Sequence, residues 1–143
     1  MKIRIKRFDK SLPLPEYKTS GAAAFDLTAR ISLEIPSRKV GYIPLNIACE
    51  TPEGYFLLLA ARSSTHKKGL ILVNGIGIGD PDFTGDEDEY VAAYLNFTDN
   101  AVQIEAGERI AQGMFVKFKK AEWEEVDSLG NKIRGGFGST GEK

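Results

Sequence analysis

Disulfides, long apolar runs and signal-like segments are all missing from this sequence of 143 residues. A single cysteine, Cys49, excludes an intrachain disulfide framework, and its strand-like surroundings predict a buried, inert thiol. No apolar run approaches the ~20 residues that a membrane-spanning helix needs. The first five residues also lack the apolar core of a secretory signal. We therefore expect a cytoplasmic protein with no membrane partner.

An excess of charge is missing too, because 19 basic side chains face 20 acidic ones and the net charge is −1. A chain without a basic surplus gives no reason to expect a nucleic-acid partner. Any anionic ligand must therefore be met by a local cluster of donors. Length and a hydrophobic content of 42% suit one ordinary domain with a buried core.

A helical stripe is absent from every window of about a dozen residues, and period-two alternation takes its place. Residues 2–6 and 31–36 alternate as half-buried strands do, and further strands are predicted over 46–49, 54–60, 69–73, 90–97 and 110–118. One helical turn is predicted over 63–68, with Ser63 or Ser64 as its cap. Many short strands separated by turns predict an all-β sandwich, barrel or jelly roll.

Glycine is concentrated at the end of the chain, where five of the last 14 residues are glycine. We expect one folded domain over residues 1–127 and a mobile arm over residues 128–143. Glycines in residues 134–141 let backbone N–H groups converge on an anion, although the Gly-Lys-Ser/Thr end of a Walker loop is missing. A disordered tail is the alternative, and Phe137 argues against it because an aromatic ring in such a segment usually covers something.

Four polar features in the body of the chain allow either structural or functional interpretations. Residues 80–89 form either a solvated acidic hairpin loop or a loop in which Asp80 activates water beside an aromatic ring. A calcium site is disfavoured, because the acidic residues do not have the spacing of an EF-hand loop. Arg62 precedes two hydroxyls and either lies at the surface or binds phosphate. The amide of Gln112 lies in an apolar strand and needs partners. Asp26 is either a hydrogen-bonded structural carboxylate or directed at a metal.

The order of these features resembles the homotrimeric dUTPase family, whose five motifs cover nearly the whole chain. They match residues 20–27, 62–64, 74–85, 109–112 and 135–141, which read SGAAAFDL, RSS, NGIGIGDPDFTG, RIAQ and GGFGSTG. The resemblance implies a jelly-roll (β-clip) fold and a homotrimer with shared active sites. It also implies hydrolysis of dUTP to dUMP and pyrophosphate, which keeps uracil out of DNA and supplies dUMP for dTMP synthesis.

The resemblance also implies a role for each matched residue. Asp80 corresponds to the catalytic aspartate that holds the sugar and activates the attacking water. The residues that contact uracil and deoxyribose are Asn74, Gly77, Ile78, Asp80, Phe83 and Phe137. The phosphate contacts are Arg62, Ser63, Ser64, Gln112, Arg134, Gly138, Ser139 and Thr140. Mg²⁺ is the implied cofactor, held mainly by the phosphates and water, and Asp26 contacts it through its water shell.

Three positions depart from the family pattern. Phe83 replaces the more usual tyrosine, and Ala61 replaces the proline that commonly precedes the arginine. The arginine of the last motif usually lies five residues before the phenylalanine. Lys132 has that spacing here, whereas Arg134 lies only three residues before Phe137. We expect Arg134 to reach the γ-phosphate, because the planar guanidinium suits phosphate. Two alternatives stay open: a dCTP deaminase of the same fold, and a nucleotide-binding trimer without turnover.

Overall fold

The computed structural model describes residues 1–141 and is almost entirely β-structure. Its strands are β1 (Ile5–Arg7), β2 (Phe25–Thr28), β3 (Leu33–Ile35), β4 (Val40–Pro44), β5 (Ile47–Cys49), β6 (Tyr55–Ala61), β7 (Leu70–Leu72), β8 (Gly77–Gly79), β9 (Val91–Asn96), β10 (Val102–Ile104) and β11 (Arg109–Lys117). One 3₁₀ turn, Thr65–Lys68, is the only helical element within residues 1–141. No helix in this range is long and apolar enough to cross a membrane.

Two larger sheets supply most of the core. One has the strand order β2-β11-β6-β8 and the other β4-β9-β7, while β1 pairs with β5 and β3 with β10. All these pairings are antiparallel. Neighbouring strands are mostly distant in sequence, which is how a jelly-roll-like fold differs from a simple meander. The predicted all-β class is confirmed.

Alternation along the strands explains how the two sheets close one core. Leu57 and Leu59 of β6 are buried, as are Ala92 and Tyr94 of β9, while the residues between them are more exposed. Buried side chains from both sheets belong to a single hydrophobic cluster. Cys49 lies in this cluster, and burial raises the pKa of its thiol, so the prediction of a buried thiol is confirmed.

The predicted helical turn exists, but its predicted cap is wrong. Ser64 occupies the position before the 3₁₀ turn, yet its hydroxyl makes no capping hydrogen bond. The backbone closes the turn instead, with Thr65 N donating to Arg62 O at 3.0 Å. The serine hydroxyl is thereby left available to a ligand.

The end of the chain leaves the body just after β11. Phe118 still packs against Phe56, with the ring centroids 6.1 Å apart. Every residue from Lys119 to Gly141 is exposed, including Trp123 and Ile133. Exposure thus begins earlier than residue 128, where the sequence places the arm. The division at residue 127 and the mobility of the arm stay predictions, and residues 142–143 lie outside the described range.

Candidate active site

A bulge in β11 gathers polar side chains on one face of the four-stranded sheet. Arg109 pairs with Thr28 and Ala111 with Leu27, so Ile110 is an extra residue on β11. After the bulge, Gln112 pairs with Asp26. Arg109 and Gln112, three positions apart, would face opposite sides of a regular strand. The extra residue brings both to the face that carries Asp26.

Asp26 is the centre of this polar face. Its Oδ1 accepts a hydrogen bond from Arg62 Nε at 3.1 Å, and its Oδ2 accepts one from Arg109 Nη1 at 2.7 Å. Arg62 Nη1 also donates to the carbonyl oxygen of Arg109 at 3.3 Å. Two guanidinium groups against one carboxylate leave a local surplus of one positive charge. The two guanidinium groups therefore form the local cluster of donors that the sequence predicts for binding an anion, since the chain as a whole has no positive surplus.

The turn after β6 adds hydroxyls to the same end of the sheet. Ser63 and Ser64 directly follow Arg62, and both are exposed. His66 is also exposed and lies in the 3₁₀ turn, as expected for a surface residue near this turn. Because Ser64 is not used as a cap, the turn presents hydroxyl donors beside the guanidinium of Arg62. Hydroxyl groups beside a guanidinium are chemically suited to binding the phosphate groups of a ligand.

Gln112 is partly satisfied within the sheet. Its Nε2 donates to the carbonyl oxygen of Ala61 at 2.9 Å, which ties β11 to the end of β6 that carries Arg62. The bond accounts for one donor of an amide that has two donors and an acceptor. The remaining capacity of Gln112 is available to a ligand on the face of Asp26.

A second group of predicted residues surrounds a cavity of about 360 Å³ beside β8. Asn74, Gly77, Ile78 and Phe83 line it together with Tyr90. The hairpin turns at Gly75, whose φ of +70° lies in the left-handed region that favours glycine. Asp80 follows the last residue of β8 and is exposed. The cavity is thus lined by residues of the hairpin and by the rings of Phe83 and Tyr90, and Asp80 directly follows its lining residue Gly79.

The loop that carries Asp80 and Phe83 is held at both ends. Phe83 N donates to Asp80 O at 3.1 Å, which closes a turn between them. At the far end, Glu89 accepts two hydrogen bonds from Arg30, at 2.7 and 3.0 Å, and one from the backbone of Asn46 at 2.9 Å. Glu89 is largely buried, so this pair is more strongly held than a surface ion pair. The acidic loop of the sequence is thus anchored rather than freely solvated.

Asp80 and Arg62 do not meet within one chain. Leu57 pairs with Gly79 and Leu59 with Gly77 along β6 and β8. Asp80 therefore lies beyond the Leu57 end of β6, whereas Arg62 follows its other end. About six residues of extended strand separate these positions, which is roughly 20 Å.

The glycine-rich arm does not join either group in this chain. Phe137 is fully exposed, and Arg134, Gly138, Ser139 and Thr140 are exposed as well. Phe137 itself has a φ of +50°, and Gly135 and Gly138 have φ of +81° and +85°. Two successive turns follow, with Ser139 N donating to Gly136 O and Gly141 N to Gly138 O. The arm is curled locally and unattached.

Sequence reasoning missed three residues that the structure places at these groups. Arg109 is marked in the sequence only as part of a turn and strand, although it donates to Asp26. Glu89 is one of several acidic residues, and Tyr90 is a strand residue. Only Arg109 could have been found from the sequence, because a guanidinium three residues before the half-buried amide of Gln112 lies on the same face when the strand contains a bulge.

Comparison with known proteins points to one family. The dUTPase family model matches residues 10–141. The deoxyuridine 5′-triphosphate nucleotidohydrolase of Dictyoglomus turgidum is 38% identical to this chain over 148 aligned positions, which cover 99% of each sequence.

Solved structures agree in fold. A crystal structure of dUTPase from Streptococcus mutans superimposes with a TM-score of 0.76 at 31% identity, covering 83% of this chain and 98% of that one. The structure of the G164S mutant of the Staphylococcus bacteriophage 80alpha dUTPase, with dUpNHpp, superimposes with a TM-score of 0.85, and the alignment covers 98% of each chain. Because the two sequences are only 23% identical, this match supports the fold alone. Since sequence and structure agree over nearly the whole length, this chain belongs to the dUTPase family.

Proposed function

We propose that this protein hydrolyses dUTP to dUMP and pyrophosphate, and so limits uracil in DNA and supplies dUMP for dTMP synthesis. One observation carries the proposal beyond family membership. Asn74, Gly79 and Phe83 line a cavity of about 360 Å³, and Asp80, the residue that directly follows Gly79, is exposed. We infer that the Asp80 carboxylate reaches the mouth of this cavity, where it can take a proton from the water molecule that attacks a bound phosphate.

The chemistry is an in-line displacement. Asp80 accepts a proton from water, the water oxygen attacks the α-phosphorus, and the bond from that phosphorus to the α–β bridging oxygen breaks. Pyrophosphate leaves and dUMP remains. The positive face around Arg62, with Ser63, Ser64 and Gln112, binds the charged phosphates and stabilises charge that moves toward the leaving group.

Selection of the nucleotide follows from the cavity walls. Backbone groups of the hairpin that contains Gly77 and Ile78 pair with uracil, and a tight hairpin leaves no space for the 5-methyl group of thymine. The ring of Phe83 packs on the deoxyribose and excludes a 2′-hydroxyl. Phe83 keeps the flat face that this packing needs, so the absence of a tyrosine hydroxyl does not remove the discrimination against ribose.

A divalent metal, which we propose to be Mg²⁺, fits this site only as a partner of the phosphates. Within residues 1–141 no three acidic, histidine or cysteine side chains are grouped as a metal site. Both oxygens of Asp26 accept bonds from arginines, but each keeps a lone pair for a water of a hydrated ion. The ion would neutralise phosphate charge, while Asp26 orients its water shell.

The separation of Asp80 from Arg62 supports a shared site in a homotrimer. Asp80 and Arg62 lie near opposite ends of β6, roughly 20 Å apart, so one chain does not place both of them against the same phosphate group. A second copy of the chain can bring its Arg62 to the cavity of the first. A third can supply the arm with Phe137, which is fully exposed in its own chain.

The outer face of the three-stranded sheet is a suitable assembly surface. Its register aligns Val40, Leu95 and Ile71 in one row and places Tyr42 opposite Ala93 in the next. Val40, Tyr42 and Ile71 are 41%, 68% and 52% exposed. A contiguous apolar patch on a sheet usually marks an interface. We define this set as the outer apolar face and propose that it packs between subunits.

A charge placed on the outer apolar face should dissociate the assembly. Ile71→Glu would put a carboxylate in the middle of the proposed interface, where it would lose its hydration. We expect sedimentation analysis to show monomers instead of trimers, with dUTP turnover lost together with the trimer.

Ile31→Glu is the matched control, because Ile31 is similarly exposed, at 43%, but lies on the loop between β2 and β3. It should remain trimeric and active. A trimeric Ile71→Glu protein would show that the subunits contact each other elsewhere.

A nucleotide panel tests the function itself. Purified protein with Mg²⁺ is incubated with dUTP, dCTP, dTTP and UTP, and products are separated by chromatography. We expect dUMP and pyrophosphate from dUTP alone, with the other three turned over at least a hundredfold more slowly. Ammonia released from dCTP would identify the deaminase alternative. Tight dUTP binding without pyrophosphate release would identify a binding trimer.

A further inference from the structure

Tyr90 is the one aromatic residue of the β8 cavity to which the proposed chemistry gives no role. It is 5% exposed, and its hydroxyl has no hydrogen-bond partner within residues 1–141. Buried polar groups are nearly always paired, so an orphaned hydroxyl beside a cavity needs an explanation. We propose that the Tyr90 ring is a positioning residue that fixes Asp80 and Phe83, and that residue 79 is glycine because the ring occupies the space of its side chain. This inference rests on the proposed dUTPase function.

The space at Gly79 is filled by the Tyr90 ring. A Cβ atom added at Gly79 would lie 2.5 Å from the Tyr90 hydroxyl oxygen, 2.6 Å from Cε1 and 2.9 Å from Cζ. Real Cβ atoms essentially never approach other heavy atoms so closely. The φ of Gly79 is not in the left-handed region, so the backbone would accept another residue. Contact with Tyr90 is therefore the reason that a side chain is excluded.

This contact determines where Asp80 lies. Gly79 is paired with Leu57 of β6 and is pressed by the Tyr90 ring. The next residue in the chain is Asp80, which must be placed accurately because a shift of about 1 Å at a reacting group can lower a rate by about a hundredfold. Without the ring, β8 could move into the vacated space and carry Asp80 with it.

The same ring supports Phe83. The two ring centroids are 5.2 Å apart and the planes are 72° apart, an edge-to-face pair. Phe83 is 37% exposed, and the Tyr90 ring is its edge-to-face neighbour. One side chain thus holds both the proposed base and the proposed sugar-packing ring, although it touches neither water nor phosphate.

The hydroxyl is not the active part of this arrangement. Thr51 Oγ1 is the other buried side-chain oxygen without a hydrogen-bond partner in residues 1–141, and Thr51 and Cys49 lie close enough to Tyr90 to affect the pKa of its phenol. Contacts among these three side chains explain how the hydroxyl is accommodated without a ligand. Burial raises the pKa of Tyr90 to about 12, and the phenol stays neutral and cannot serve as a base. Tyr90→Phe should therefore keep kcat and KM within about threefold and leave the melting temperature unchanged or higher.

We call the packing of the Tyr90 ring against Gly79 and Phe83 the steric lock. Four variants distinguish its effect on catalysis from an effect on general stability: Tyr90→Phe, Tyr90→Leu, Gly79→Ala and the double variant of the last two. We expect Tyr90→Leu and Gly79→Ala each to lower kcat at least tenfold at a temperature where circular dichroism shows them folded. Tyr90→Leu should also raise KM, because Phe83 loses its support. Leucine lacks the Cε1, Cζ and hydroxyl atoms that the methyl group introduced by Gly79→Ala would strike, so the double variant should recover at least threefold in kcat over Gly79→Ala. Ile104→Val, a core change in another sheet, should lower the melting temperature without changing kcat.

The outcomes divide cleanly. A double variant whose kcat is no better than that of Gly79→Ala would overturn the lock, and so would a tenfold loss in Tyr90→Phe, which would assign the role to the hydroxyl. An inactive wild-type protein would refute the proposed function instead. In that case the melting temperatures still test the lock. If the lock exists, Gly79→Ala should lower the melting temperature less in the Tyr90→Leu background than in the wild-type background.

Discussion

Replacing Asp80 by asparagine is expected to lower kcat for dUTP by about 10²- to 10⁴-fold, the usual contribution of a general base. An amide cannot take the proton of the attacking water, but it has nearly the shape of the carboxylate and can still hydrogen-bond a sugar hydroxyl. We therefore expect the dissociation constant of dUpNHpp, measured by calorimetry, to change by less than about threefold. Pyrophosphate release gives kcat.

Asp86→Asn is the matched control for this variant. Asp86 lies on the same acidic loop and is exposed, and its contact with Lys6 uses its backbone carbonyl rather than its carboxylate. The control removes the same charge from the same loop and should keep kcat. If Asp80→Asn retains a kcat within threefold of wild type, Asp80 is not the base and another group must activate the water.

Removal of residues 134–143 is expected to lower kcat/KM for dUTP at least a hundredfold while leaving the trimer and its melting temperature almost unchanged. The segment carries Arg134, Phe137, Ser139 and Thr140, and hydrogen bonds to charged phosphate contribute about 1.5–3 kcal/mol each. Ordering the arm costs roughly 1–2 kcal/mol per residue, so these contacts form only around a bound triphosphate. Stability should not change, because residues 119–141 are exposed throughout.

A shorter truncation controls for the loss of the chain end. Removing only residues 142–143 keeps the whole glycine-rich motif and should keep activity. Light scattering reports the assembly of both proteins, and differential scanning calorimetry their stability. Full activity in the longer truncation would mean that the arm is a passive extension and that the site closes without it.

Strands with strong patterns could be predicted from the sequence, and those with weak patterns could not. The predicted segments 54–60 and 110–118 correspond to β6 and β11, whose apolar residues are numerous. The sequence pattern does not predict four of the strands, which are β2, β4, β8 and β10. β8 is only Gly-Ile-Gly, and two of its three residues are glycines, which are depleted in strands. Its conformation comes from pairing with β6, a tertiary effect that local sequence does not encode.

The candidate site shows the same limit. The resemblance identifies Asp26, Arg62 and Gln112 as site residues, but not that Arg109 joins them on one sheet face, because that depends on a one-residue shift of β11 against β2. Tyr90 has no motif to mark it, and its importance follows only from the space that its ring fills above Gly79. Contacts between chains are likewise not encoded in any local pattern of one sequence.

The extra residue in β11 has a consequence for how this protein can change over time. Deleting Ile110 would leave Arg109 opposite Thr28, on the face of Asp26, but would remove a core side chain that is 1% exposed. Inserting one more residue before Ile110 would instead shift Arg109 by one step, so that its guanidinium would point into the hydrocarbon interior rather than at Asp26. A buried charge without a partner is severely destabilising. The length of this short stretch is therefore constrained twice, by folding and by phosphate binding, and natural variation should be found in its side chains and not in its residue count.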